Sequence, residues 1–147
     1  MFTVAGYTLD PELAYDPVAN LWVALLDDGR ARIGYDPLGA ETTGDVVAIS
    51  PAPAGARRAR GESLATVEAA KFVGPLPAPV GGVIAAANPA VIAQPGSVNA
   101  DPFGAWLVEL HKIDEGDLVH LMRGEDEIGT WFAAAVERFR RQGAIAE

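Results

Sequence analysis

The chain contains no cysteine, and that absence excludes disulfides, thiolate metal sites and cysteine nucleophiles together. Any sulfur redox chemistry must therefore come from a cofactor. Lysine is almost as scarce, Lys71 and Lys112 being the only two. Positive charge is also short: 20 acidic against 11 basic residues give a net charge of −9, which repels nucleic acid and anionic membrane and argues against both as partners. No apolar stretch approaches the ~20 residues of a membrane span. The first residues, Met1, Phe2, Thr3 and Val4 onward, have neither the basic and apolar regions of a secretion signal nor an arginine-rich transit pattern, so the bacterial cytoplasm is the expected location. Gly-x-Gly-x-x-Gly, Gly-x-x-x-x-Gly-Lys and Gly-x-Ser-x-Gly are all missing, which removes the usual turns for nucleotide binding and serine hydrolysis.

What remains is a chain of 147 residues, half of them hydrophobic, long enough for one sizeable core and predicted to form a single domain over 1–147. Residues 21–26 form an apolar run, Asp28 and Gly29 supply a two-residue turn, and residues 30–34 alternate polar with apolar, the pattern of a β-hairpin. Asp36 is placed to cap a short helix with Pro37 in its first turn, and an extended pattern resumes over 45–50. Pro51 to Gly55 breaks the chain, and Arg57, Arg58 and Arg60 form a basic island expected in an exposed loop, with docking of an acidic partner as the functional alternative. Residues 63–67, 72–76, 82–87 and 106–110 read as further short strands, so the expected class is mainly β, a sandwich or barrel. Ile128, Trp131, Phe132, Ala135, Val136 and Phe139 fall along one helical stripe, predicting an amphipathic C-terminal helix over about 125–142 that packs on the sheet.

Lys71 stands in Val67-Glu68-Ala69-Ala70-Lys71-Phe72, between two strand-like segments. A lysine at a turn is ordinarily a solvated charge. Here Ala69 and Ala70 leave it uncovered, and the flanking strands hold it at a fixed tip that a modifying enzyme can read by shape. Gly55, Gly61-Glu62, Val67-Glu68-Ala69-Ala70-Lys71 and Pro79-Val80-Gly81-Gly82 resemble, in order and spacing, the central pattern of the glycine cleavage system H protein family. Asn88, Pro95, Val98-Asn99, Asp101-Pro102-Phe103-Gly104 and Trp106 resemble its downstream stretch, and Tyr7-Thr8-Leu9-Asp10-Pro11-Glu12 its opening.

The resemblance implies a barrel-sandwich hybrid of the lipoyl-domain kind, with lipoic acid in amide linkage on Lys71 and Glu68 in the hairpin that the attaching enzyme recognises. It implies a carrier and not an enzyme. The expected partners are a lipoate ligase or lipoyl transferase and the glycine cleavage enzymes: decarboxylase, aminomethyltransferase and dihydrolipoamide dehydrogenase. Glu12 matches a glutamate that pairs with the cationic aminomethyl group of the loaded arm. The pattern is broken around it, because Pro11 and Leu13 replace a His and a Trp, Gly74-Pro75 replaces a Ser-Asp pair, and Gly81 replaces a Ser. The stretch from Asp101 to Trp106 is also one residue short. These changes leave open an H-like lipoate-binding protein that carries sulfur intermediates for a heterodisulfide-reductase-like sulfur-oxidation complex. An unmodified scaffold or binding module is a third reading. A biotin carrier fits less well, since neither Met1 nor Met122 flanks Lys71.

Other residues take structural readings. His111 and His120 lack a ligating spacing, so no metal site is expected. Glu125, Asp126 and Glu127 complement a helix N-terminus. Trp22, Trp106 and Trp131 lie in apolar patterns and are expected in the core.

Overall fold

Left-handed backbone at Ala5 (φ +49°) and Gly6 (φ +90°) turns the start of the chain into a hairpin of β1 (Phe2–Val4) and β2 (Tyr7–Leu9). The protein is described by a computed structural model over residues 1–146. After this hairpin come β3 (Ala14–Asp16), β4 (Leu21–Leu25) and β5 (Ala31–Tyr35), three antiparallel neighbours. Asp28 and Gly29 both take positive φ, as a turn pair should, yet they lie in a 3-10 turn, Asp27–Gly29. The Leu26 amide donates to the Arg30 carbonyl at 2.8 Å across it, so the loop is longer than the expected two residues.

Asp36 then caps α1 (Pro37–Thr43), its carboxylate accepting from the Gly39 amide at 2.8 Å, and Pro37 occupies a position where no amide is needed. The chain continues through β6 (Val46–Pro51), β7 (Arg57–Arg58), β8 (Ser63–Ala69), β9 (Val73–Pro77) and β10 (Gly82–Ala87). Two short helices follow, α2 (Pro89–Ala93) and α3 (Ser97–Ala100), before β11 (Val108–His111), a 3-10 segment Glu115–His120 and α4 (Glu125–Arg141). A six-stranded sheet has the order β3-β4-β5-β11-β10-β7, and a three-stranded sheet the order β6-β8-β9. Val23, Ile33, Ile84 and Leu110 from the first meet Ile49, Leu64, Val67 and Leu76 from the second in one buried cluster. This is the mainly β barrel-sandwich architecture expected.

The arginine island is not wholly a loop. Arg57 and Arg58 pair with Val83 and Gly82 as the edge strand β7, because β10 offers unpaired backbone groups there. Arg57 also meets Asp114 at 3.6 Å, while Arg60 stays exposed.

The C-terminal helix buries Ile128, Phe132, Ala135 and Val136 against Leu9, Tyr15, Trp22 and Leu38, forming a second cluster roofed by the β1–β2 hairpin. Trp131 and Phe139 flank this stripe half-buried. Acidic residues fill the helix's first turn and arginines its last, as the dipole favours. Of the three tryptophans, only Trp22 is fully buried; its ring lies over Gly34, where any Cβ would overlap it, and its indole N–H donates to the Pro102 carbonyl at 3.0 Å. Trp106 is half-buried with the Arg32 guanidinium 4.5 Å above its ring, and Arg32 in turn donates to Glu109 at 2.9 Å.

Candidate functional site

Lys71 stands at the tip of the β8–β9 hairpin, which narrows to a closing bond from the Ala69 amide to the Phe72 carbonyl at 2.8 Å. Glu68, opposite Val73, is exposed on the last part of β8, and Lys71 itself is exposed. Both therefore share one accessible hairpin end. The tip does not wave in solvent on two strands alone: the Ala70 amide donates to the Asp45 carbonyl at 2.9 Å, and the Lys71 amide to the Thr43 carbonyl at 3.0 Å. These bonds dock the lysine's backbone on the loop between α1 and β6.

Gly44 makes that docking possible. It ends α1 with φ +79°, and a Cβ there would meet Lys71 Cγ at 3.1 Å and the Lys71 nitrogen at 3.3 Å. Asn99 clamps the same loop from the other side: its Nδ2 donates to the carbonyls of Gly44 (2.7 Å) and Ala40 (3.3 Å), and its Oδ1 accepts from the Val46 amide at 2.9 Å. Asn88 caps α2 by accepting from the Ala90 amide at 3.1 Å, and Asp101 accepts from the Gly104 amide at 3.2 Å. The downstream motif thus builds the support beneath Lys71.

Two depressions flank the tip. One, of about 560 Å³, is lined by Lys71, Ala70, Glu41, Asp45, Asn99 and Pro102 among others. Glu41 there accepts a hydrogen bond from the Tyr7 hydroxyl at 2.9 Å, and burial followed by the Glu41 interaction pushes the Tyr7 phenol up to about 12. The other, of about 370 Å³, is walled by Val18, Leu21, Tyr35, Phe72, Pro75 and Leu76, and every residue of its lining is uncharged. Burial raises the Tyr35 phenol above its ordinary value, so it remains neutral at physiological pH. The Phe72 ring folds back across Gly74, whose missing side chain leaves room for it at the rim of this groove.

Glu12 lines neither depression. It is exposed in the turn after the N-terminal hairpin, with its amide donating to the Asp10 carboxylate at 2.9 Å. Glu41 and Asp45, by contrast, line the depression beside Lys71 without being expected at the site. The signal available was Gly44-Asp45, a helix-stopping glycine directly before the strand that pairs with the lysine strand. Among the described residues no cluster of three or more His, Asp or Glu is arranged to hold a metal ion, and His111 and His120 lie apart on β11 and the 3-10 segment.

A barrel-sandwich fold that projects a docked hairpin with one lysine at its tip defines a class of β proteins. The chain belongs to the glycine cleavage H-protein family, whose model matches residues 13–131. It is similar to glycine cleavage system H protein 3 of Aquifex aeolicus, 34% identical over 125 residues, covering 82% of this chain and 78% of that one. The glycine cleavage system H protein of Aromatoleum aromaticum is 37% identical over 111 residues, covering 76% of this chain and 86% of its own. Among solved structures, a glycine cleavage system H protein from Mycobacterium marinum superposes with TM-score 0.68 at 27% identity, covering 83% of this chain and 98% of that one. The family match begins at Leu13, so Glu12 lies just outside it.

Proposed function

We propose that the protein is a carrier whose Lys71 holds lipoic acid in amide linkage. The observation that carries this reading is the exposed Lys71 at a hairpin tip whose backbone is fixed by the Thr43 and Asp45 carbonyls. Such a site fits a covalent arm: the amine is accessible, Ala69 and Ala70 add no bulk, and the hairpin presents one shape to a lipoate ligase or lipoyl transferase. Glu68, on the same accessible end, is a recognition element for that enzyme. The group, once bound, supplies a dithiol that changes redox state and takes up cargo.

The protein's own part is mechanical and electrostatic. Amide formation removes the Lys71 charge, the docked tip fixes where the arm begins, and tethering raises the local concentration of cargo at whichever enzyme the carrier has docked on. Catalysis belongs to the partners, in this reading the glycine cleavage enzymes, within the bacterial cytoplasm. No helix among the described residues is long and apolar enough to cross a membrane.

A second reading, delivery of sulfur intermediates to a heterodisulfide-reductase-like complex, is favoured by one feature: the residues three and four positions after Lys71 are Gly74 and Pro75, and the groove beside them has no carboxylate. The Glu12 contact with a cationic arm is not part of our reading, since Glu12 lines neither depression. The test uses ligase, ATP and lipoate. The wild-type protein should gain one lipoyl group by intact mass and Lys71→Arg none; an unmodified wild type contradicts the carrier reading and leaves the scaffold. On the lipoylated protein, slow loading from labelled glycine by the decarboxylase together with uptake of sulfane sulfur supports the second reading, and rapid glycine loading supports the first.

A further inference from the structure

Arg58 takes no part in holding an arm on Lys71, and we propose that its guanidinium, together with the hydroxyls of Ser50 and Thr66, forms a binding site for a phosphoryl group. The three come from three strands, β7, β6 and β8. A hollow of about 260 Å³ is lined there by Ser50, Pro51, Pro53, Arg58, Ser63 and Thr66 among others, and none of its lining residues is acidic. It lies beside the first half of β8, away from the Lys71 tip.

Arg58 is half-buried and fixed before any ligand arrives. Its Nε donates to the Ser63 carbonyl at 3.0 Å and its Nη1 to the Arg57 carbonyl at 3.1 Å, which ties the side chain of β7 across to β8. Neutral carbonyls orient a guanidinium without cancelling its charge. Arg30, Arg32, Arg57 and Arg141 each meet a carboxylate, whereas Arg58 meets none among the described residues. A cation held in place and left without a counter-charge binds an anion at little further cost in ordering, and a guanidinium matches an oxyanion's geometry.

The hydroxyls select the anion. Ser50 and Thr66 stand opposite each other in the β6–β8 register, which puts their side chains on one face of the sheet with Cβ atoms roughly 5 Å apart. Both are exposed, so their hydroxyls are open to a ligand. Ser63 is engaged elsewhere, its hydroxyl donating to the Ala65 carbonyl at 2.9 Å. One guanidinium and two hydroxyls therefore converge from three strands, and they match the three terminal oxygens of a phosphate monoester; a carboxylate has only two oxygens to offer. Pro51 and Pro53 add apolar wall for a small organic remainder. The ligand class is inorganic phosphate or a small phosphate monoester.

The experiment follows amide NMR shifts of the full chain near neutral pH, at an ionic strength held constant with sodium chloride. Inorganic phosphate, glycerol 3-phosphate and acetate are titrated in turn. The proposal predicts saturable shifts at Ser50, Arg58, Ser63 and Thr66 with the phosphates, and binding of acetate about tenfold weaker or less. Tighter binding of glycerol 3-phosphate than of inorganic phosphate supports a monoester as the ligand, and the reverse order supports free phosphate. Thr66→Val keeps a β-branched residue at an exposed strand position and should weaken phosphate about tenfold, the effect of one hydrogen bond to a charged group. Arg58→Gln should abolish saturation. Shifts that grow without saturating for all three anions overturn the site, as does phosphate binding that either substitution leaves unchanged. Because Thr66→Val spares the core and the Arg58 anchor, it decides the matter even if Arg58→Gln fails to fold.

Discussion

Gly44 and Asp36 bracket α1, and each can be changed singly. At Gly44 a Cβ would press on Lys71 Cγ at 3.1 Å in a backbone of φ +79° that side chains rarely adopt. Gly44→Ala should lower stability by about 1–3 kcal/mol, read as a reduced urea midpoint, and slow modification of Lys71 by loosening the tip. Asp36 is fully buried, and burial pushes its carboxyl up to about 6 despite hydrogen bonds from the Gly39 amide and the Asn20 side chain. Its unfolded value is about 4, so between pH 4 and 6 the native state holds a proton that the unfolded chain has released. The stability from this residue is thus complete below about pH 4 and lost as pH rises through 6, with a slope of up to about 1.4 kcal/mol per pH unit. Asp36→Asn should flatten that part of the profile of urea midpoint against pH. Both residues were visible beforehand in different degrees: Asp36 before Pro37 announced a cap, whereas nothing in the sequence says that Gly44 lies against Lys71.

Among the elements, α4 was legible because its apolar residues repeat at helical spacing over several turns, and Glu125–Arg141 agrees closely with the expected 125–142. Phe132 is its deepest aromatic, with Tyr7 edge-on at 5.5 Å and Trp131 at 5.3 Å between ring centroids. Phe132→Ala should cost about 3–5 kcal/mol, measured as a fall in urea midpoint at an unchanged slope. The strand leading to the lysine was legible as well, since from Ala65 to Ala69 apolar and polar residues alternate, and the apolar ones are buried. Shorter elements were not. The apolar run Val91, Ile92, Ala93 gives no period over so few residues, and α2 exists because Asn88 caps it and Pro89 starts it. Strand β7 has only Arg57 and Arg58, whose composition suggests a solvated loop; pairing with β10 makes it a strand. The short N-terminal hairpin and the half-buried setting of Trp106 and Trp131 likewise depend on tertiary neighbours.

At the scale of the whole molecule, the anchor was readable and its surroundings were not. Lys71 and Glu68 lie within four residues of one another, so a local motif announces them. The two depressions are assembled from residues 18–21, 35–45, 70–77 and 99–102, segments that meet only once the sheets face each other. For that reason no local motif joins Glu41 and Asp45 to Lys71, and Glu12, matched by an opening motif, lines neither depression. The same topology turns the Asn99 motif from a sequence marker into a clamp on the loop that carries the lysine backbone. In the carrier reading, this frame serves to present one amine, that of Lys71, for modification. Protein co-expressed with a lipoate ligase and lipoate, digested and sequenced by fragmentation mass spectrometry, tests it most directly. A lipoyl group is expected on Lys71 and none on Lys112; a lipoyl group on Lys112, or on neither lysine, would overturn the carrier reading.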